Sequence, residues 1–243
     1  VAAQGRLVQA RTKAIEMLMP GPDTNEFLMT LLDDPAPPVR AAAYESMSTS
    51  TLEFRVFAEG LQREWEPEVL SALCRGLGRG PSERAPEAVA LMERLVPLAE
   101  GSEGLARDLP GAINSCPCVE AIDALERMGR TTRSEDLRAW AIKALADVRC
   151  VQAQPQGYII ERGAALRRLA DEASPEVACD ASLGMLALAM QKGTPEKVVL
   201  AVDDAFVDRA RRLSQMPSLR VRNGLVQKLA LWEGTDPRNR VQR

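Results

Sequence analysis

The side chains with the widest chemical potential in this sequence are its cysteines, because the 243 residues include five cysteines and no histidine. The chain therefore lacks the commonest general base and the commonest zinc ligand. Cys116 and Cys118 begin one predicted helix, and Cys150 follows the end of the next. These positions meet at one edge of an antiparallel hairpin, so we expect Cys150 to lie near Cys116 or Cys118 and to form a disulfide with one of them if the protein is exported. The alternative is three reduced thiols at helix ends.

The state of these thiols also bears on the compartment. A disulfide would indicate a periplasmic or exported protein, whereas reduced thiols fit the cytoplasm, which is the expected location. No metal site is predicted, since a three-cysteine site would need a fourth ligand that is not histidine. No cofactor is predicted either, and no apolar stretch of the sequence is long enough to span a bilayer.

Charged and glycine-rich motifs offer weaker candidates for chemistry. Asp33, Asp34 and Arg40 surround a predicted helix start and are either a charged binding spot or structural residues, and we favour the structural role because acids are stabilised there by the helix dipole. Asp203-Asp204 is interpreted as an exposed helix face, because adjacent carboxylates on a helix point about 100° apart. The glycines from Gly76 to Gly80 end a predicted helix and precede a proline, which is typical of a helix C-cap and not of a phosphate-binding loop. No catalytic residue is therefore predicted.

Positive charge is concentrated at the carboxyl end of the sequence. The whole chain has a net charge of -3, which argues against a protein that holds nucleic acid by its overall charge. The segment from Ala205 to Arg243, however, contains nine basic residues and three acidic ones. The predicted contacts in this region are Arg209, Arg211, Arg212, Arg220 and Arg222. The region is either a docking surface for an acidic partner or a polar end-cap that keeps the last helices soluble.

The elements that must position these residues are helices. Helix formers dominate and proline-bearing breaks recur, which predicts about thirteen short helices and no sheet. Two of these helices are predicted over 84–99 and 194–213. The first apolar residues of alternate helices recur at intervals of 30 to 42 residues, at Val39, Val69, Leu105, Leu137, Val177 and Leu219. We therefore expect an α-solenoid of about six helical hairpins, with the first helix as an N-terminal cap.

One segment resembles a known repeat family. The residues from Leu32 to Ala43 read Leu-Asp-Asp-Pro-Ala-Pro-Pro-Val-Arg-Ala-Ala-Ala, which resembles HEAT repeats of the short, phycobilisome-lyase-like type. Weaker copies begin at Glu66 and Ser174. The resemblance implies a right-handed α-α superhelix, which we expect to form a single domain over 1–232 followed by a tail over 233–243. It implies a binding scaffold and no particular chemistry.

The resemblance also implies which side chains contact a partner. In HEAT-like solenoids the second helices of the hairpins line the concave face, which implies contacts by Tyr44, Arg75, Arg138, Trp140, Arg220 and Arg222. The tryptophans Trp65, Trp140 and Trp232 are alternatively core residues. We predict a non-enzymatic scaffold that binds another protein through this concave face, the basic carboxyl end, or both. The alternative is a HEAT-like enzyme or nucleic-acid-binding protein, similar to DNA glycosylases or bilin lyases.

Overall fold

A computed structural model describes residues 2–18, 22–47, 51–148, 155–172, 174–216 and 222–235. Across these ranges the chain forms helices and turns, and no strand is present. Within them, fifteen α-helices pack against helices near them in the chain, which confirms the predicted all-α helical-repeat class. The chain divides into two compact units, Val1–Ala121 and Ile122–Arg243. One domain over 1–232 stays a prediction.

In the first unit, alternate helices form a row and the remaining helices cover it. Helices α1, α3, α5 and α8 pack side by side in this order, and α2, α4 and α6 pack against them as a second layer. A 3-10 turn at Ser82–Arg84 precedes α6. The bounds are α1 Ala2–Glu16, α2 Pro22–Thr30, α3 Pro37–Ser46, α4 Thr51–Arg63, α5 Pro67–Gly78, α6 Ala85–Glu93, α7 Val96–Ala99 and α8 Glu103–Asn114.

The second unit repeats this arrangement. Helices α10, α12 and α15 form its row, while α11 and α14 pack against that row as a second layer. Helix α9 begins in the first unit and continues into the second. The bounds are α9 Val119–Thr131, α10 Glu135–Ala146, α11 Gln156–Ala170, α12 Pro175–Ala189, α13 Glu196–Leu200, α14 Asp204–Ser214 and α15 Arg222–Thr235.

Local sequence explains where the row helices begin and how closely they pack. Pro37 and Pro67 lie in the first turns of α3 and α5, where the missing amide hydrogen costs no hydrogen bond. Ser134, which precedes two acids and is predicted to cap α10, accepts a hydrogen bond from the Leu137 amide at 3.3 Å. Helix α5 ends at Gly78 with Arg79 as its C-cap, inside the segment predicted to end this helix, and Gly78 lies so close to α8 that its missing side chain allows the approach.

Two predicted helices are each split in the structure. The helix predicted over 84–99 is α6 and α7, because Pro97 lies in the first turn of α7 and cannot continue a preceding helix. The helix predicted over 194–213 is α13 and α14, because Asp203 ends the turn between them. Asp203 is exposed, as predicted, but it is the N-cap of α14 and not part of a helix face, because its carboxylate accepts a hydrogen bond from the Phe206 amide at 2.7 Å.

The carboxyl end also differs from the prediction in one detail. Residues 233–235 belong to α15 and not to the predicted tail, whereas 236–243 lie outside the described residues. Within the part of the chain that the structure describes, no helix has the length and apolar character needed to cross a membrane.

Candidate protein-binding cleft

The most exposed aromatic side chain in the structure sits on a loop of the first unit. Trp65 lies between α4 and α5 with 72% of its surface exposed, whereas Trp232 is buried in the second unit. An exposed tryptophan is a candidate contact for a partner, because tryptophan is enriched among the residues that dominate interface energetics. The sequence held a signal for this, because Trp65 stands in the turn Glu64-Trp65-Glu66 before Pro67 and not on an apolar helix stripe.

Trp65 borders a cleft of about 410 Å³, called here the Trp65 cleft. Its walls are the α2–α3 loop from Leu32 to Pro37 and the α4–α5 loop from Arg63 to Glu66, and Arg40 and Tyr44 of α3 complete the lining. The cleft thus lies where two neighbouring hairpins bring their loops together.

Arg40 holds these two loops in place. Its guanidinium donates to both carboxylate oxygens of Glu64, at 2.8 and 3.0 Å, and to the Asp34 carbonyl oxygen at 2.8 Å. Both side chains of the Arg40–Glu64 pair are largely buried, and bidentate pairs of this kind fix orientation as well as charge. Asp34 in turn accepts a hydrogen bond from the Ala36 amide at 2.9 Å and pairs with Arg11 of α1. Asp34 and Arg40 therefore link neighbouring helices and loops, which agrees with the structural role favoured from the sequence.

Tyr44 forms the deepest part of the lining. Only 1% of its surface is exposed, and its ring packs on Phe57 with the centroids 5.6 Å apart. Gly60 makes room for the hydroxyl, since a Cβ there would lie 2.7 Å from the hydroxyl oxygen. No hydrogen bond joins this hydroxyl to another described residue, and burial, followed by the charge of Glu64, raises the pKa of Tyr44. Tyr44 was wrongly expected on an exposed concave face, because in α3 it points toward α4.

Two carboxylates at the cleft form no ion pair or hydrogen bond in the described structure, although, after the hydrogen bonds with Glu64, the charge of Glu66 contributes to the raised pKa of the Arg40 guanidinium. Asp33 makes no ion pair or hydrogen bond there, and Glu66 occupies the N-cap position of α5 without a side-chain capping bond. Arg63, an exposed cation on the same rim, is also without a described ion pair. The pairs Arg40–Glu64 and Arg11–Asp34 are internally neutral, so the remaining charge at the cleft is one negative unit.

Most of the other side chains predicted to contact a partner on a concave face interact with residues of this protein. Arg75 donates to both carboxylate oxygens of Glu45, at 2.9 and 3.2 Å, and pairs with Asp108 of α8. Trp140 is half-buried beneath the Lys143 ammonium, which lies 4.4 Å from the ring centroid. Arg138 is also half-buried, and its Nε has no hydrogen-bond partner among the described residues. None of these three lies at the Trp65 cleft.

The basic carboxyl end is partly neutralised by neighbouring acids. Arg209 pairs with Asp171, and Arg211 pairs with Glu233 at 2.9 Å and with Asp208 at 2.7 Å. Arg212 is exposed. Arg220 lies outside the described residues, and Arg222 is described only as the first backbone position of α15. These pairs favour the interpretation of this region as a polar end-cap.

The described cysteines do not form a reactive centre. Cys74, Cys116 and Cys179 are buried, which raises the pKa of Cys74 and Cys116 to about 12 and that of Cys179 to about 11. Thiols of this kind stay protonated and are poor nucleophiles. Cys116 and Cys118 are not bonded to each other, and Cys150 lies outside the described residues, so the disulfide stays a prediction. No group of three or more metal-binding side chains occurs in the described ranges.

Comparisons with known proteins add little to this picture. No protein-family model and no curated protein matches the chain. Among solved structures, an engineered protein from the Northeast Structural Genomics Consortium is 17% identical, and the alignment covers 86% of this chain and 96% of that protein with a TM-score of 0.44. This likeness is too weak to bear on fold or function.

Proposed function

We propose that this protein is a non-enzymatic scaffold, built from HEAT-like helical hairpins, that holds another protein at the Trp65 cleft. The observation that carries the proposal is Trp65 itself, which is 72% exposed on the loop between α4 and α5. Covering a large apolar side chain contributes about 1.5–3 kcal/mol. Tryptophan is also among the residue types that dominate the energetics of protein interfaces.

The rigidity of the cleft supports this role. The bonds from Arg40 to Glu64 and to the Asp34 carbonyl fix both loops before a partner arrives. A preorganised surface loses less conformational entropy on binding than a flexible one, so more of the contact energy becomes affinity. The concave-face residue Arg75 and the end residues Arg209 and Arg211 have their charges paired within the protein, which favours the cleft over those two surfaces.

Site-specific photo-crosslinking tests the proposal. A benzoylphenylalanine placed at position 65 should give a discrete adduct in a lysate of the source cells. The matched control places the same group at Leu98, another exposed apolar residue of the first unit. Excess unlabelled wild-type protein should suppress the adduct, whereas excess Trp65→Ala protein should not. Equal adducts at both positions, or no adduct at position 65, would contradict the proposal.

A further inference from the structure

The unpaired groups at the Trp65 cleft indicate what kind of partner fits it. Resting on the proposed function, we infer that the cleft takes an arginine or lysine side chain from a basic segment of the partner protein, with its cationic head between the Trp65 ring and the Asp33 and Glu66 carboxylates. The chemical class of the occupant is therefore a cationic side chain on an extended peptide.

The first argument is the exposed ring. A guanidinium or ammonium group is attracted to the face of an aromatic ring, and tryptophan gives the strongest attraction. The stem of a lysine or arginine side chain is apolar and can cover the ring while the charged head stays near water. Such a side chain matches both the apolar surface of Trp65 and the polar rim of the cleft.

The second argument is charge complementarity. Once the two internal ion pairs are set aside, Asp33 and Glu66 remain as carboxylates without a described ion pair or hydrogen bond, against the single cation Arg63. Glu66 gains some stabilisation from the start of α5, but Asp33 stands before a proline loop and outside any helix. An incoming cation would neutralise the net charge of one negative unit at the rim, whereas an anion would add to it.

The third argument is the Tyr44 hydroxyl. Tyr44 lines the cleft, and only 1% of its surface is exposed. Its hydroxyl has no hydrogen-bond partner among the described residues. An N–H of the bound head group can donate to this oxygen, so an arginine or lysine head gains a hydrogen bond beyond its contact with the Trp65 ring.

Fluorine NMR of protein labelled with 5-fluorotryptophan tests the inference directly. The three tryptophans give three resonances, and Trp65→Phe identifies the one from position 65, so Trp140 and Trp232 serve as internal controls. The probes are acetylated, amidated glycine pentapeptides with arginine, lysine, citrulline or glutamate at the centre, together with a tetraproline peptide. The arginine and lysine peptides should shift the Trp65 resonance saturably at millimolar concentrations. Citrulline, the neutral analogue of arginine, should bind at least about fivefold more weakly.

Three variants separate this mechanism from simple contact with the ring. Glu66→Gln should weaken the arginine peptide at least about twofold, whereas Glu103→Gln, which removes an acid from the start of α8 in the same unit, should not. Tyr44→Phe should also weaken the arginine peptide while leaving the free energy of unfolding nearly unchanged, since no described hydrogen bond is lost.

Each remaining result would overturn the inference. A Trp65 resonance that does not move with any cationic peptide, that moves equally with citrulline, or that moves most with tetraproline or glutamate would exclude a cationic occupant. The proposed function is tested separately, by the crosslink at position 65. A specific crosslink without a response to cationic peptides would leave the scaffold proposal in place and refute the basic partner.

Discussion

Gly78→Ala should destabilise the protein, because the last residue of α5 lies against the backbone of α8. A Cβ at this position would sit 2.6 Å from the Ala112 carbonyl oxygen and 3.2 Å from the Ala112 carbonyl carbon and Cα. The opposing atoms belong to the backbone, so no change of side-chain rotamer relieves the clash. The two helices must separate by roughly 0.8 Å to reach an ordinary contact of about 3.4 Å, and a gap of that size forfeits a quarter to a half of each dispersion contact.

The expected magnitude combines two opposing effects. Overpacking costs about 1–3 kcal/mol, and replacing glycine by alanine in a helix returns about 0.5–1 kcal/mol. We therefore expect a net loss of about 1–2 kcal/mol in the free energy of unfolding, equivalent to a fall in Tm of about 2–8 °C for a chain of this length.

Gly111→Ala is the matched control for this substitution. Gly111 lies in α8, where a Cβ would meet no atom within 4 Å, so the variant should gain about 0.5–1 kcal/mol from helix propensity alone. Urea unfolding followed by circular dichroism measures both variants. The reasoning would be refuted by a Gly78→Ala protein as stable as Gly111→Ala.

Three further predictions concern charge and titration. Arg40→Ala removes one partner of a largely buried ion pair and should lower the free energy of unfolding in urea by about 3 kcal/mol. Lys13→Ala, which removes one partner of an exposed pair, should change it by less than about 0.5 kcal/mol. Equal effects of the two substitutions would contradict the linking role of Arg40. Burial raises the pKa of Cys74 and Cys116 from 9.0 to about 12, so the folded state keeps protons that the unfolded chain loses. The resulting stabilisation is complete below about pH 9 and declines toward pH 12 by about 1.4 kcal/mol per thiol and pH unit. The free energy of unfolding should therefore fall between about pH 8 and about pH 10, and it should fall less when both cysteines are replaced by alanine. Finally, the affinity for double-stranded DNA should not depend steeply on salt concentration, since Arg209 and Arg211 are paired with acids. A steep fall of the affinity with rising salt, measured by fluorescence anisotropy, would support the nucleic-acid-binding alternative.

Much of the fold follows from local sequence. Proline at the start of α3 and α5, the Ser134 cap and the repeated apolar positions are short-range features, so the order of the helices is predictable from them. The two split helices were missed because apolar periodicity continued through Pro97 and Asp203. In both places a local terminator outweighed the periodicity.

The cleft could not be predicted in the same way, because it depends on contacts between distant residues. Arg40 and Glu64 are 24 residues apart, and neither position indicates by itself that their side chains meet. Tyr44 was assigned to an exposed face by its place in a second helix, but Gly60 and Phe57 of α4 provide a pocket that buries it. Trp65 was treated mainly as core, although its charged neighbours in a proline turn already indicated a loop.

The most direct measurement of the central claim is the Kd of the partner captured at position 65 for three purified proteins. Wild type and Leu98→Ala should bind it equally, because Leu98 is exposed on α7 and does not line the Trp65 cleft. Trp65→Ala should bind at least about 30-fold more weakly, which corresponds to the loss of about 2 kcal/mol expected for an interface hot spot. A Kd unchanged by Trp65→Ala would contradict a binding function at the Trp65 cleft.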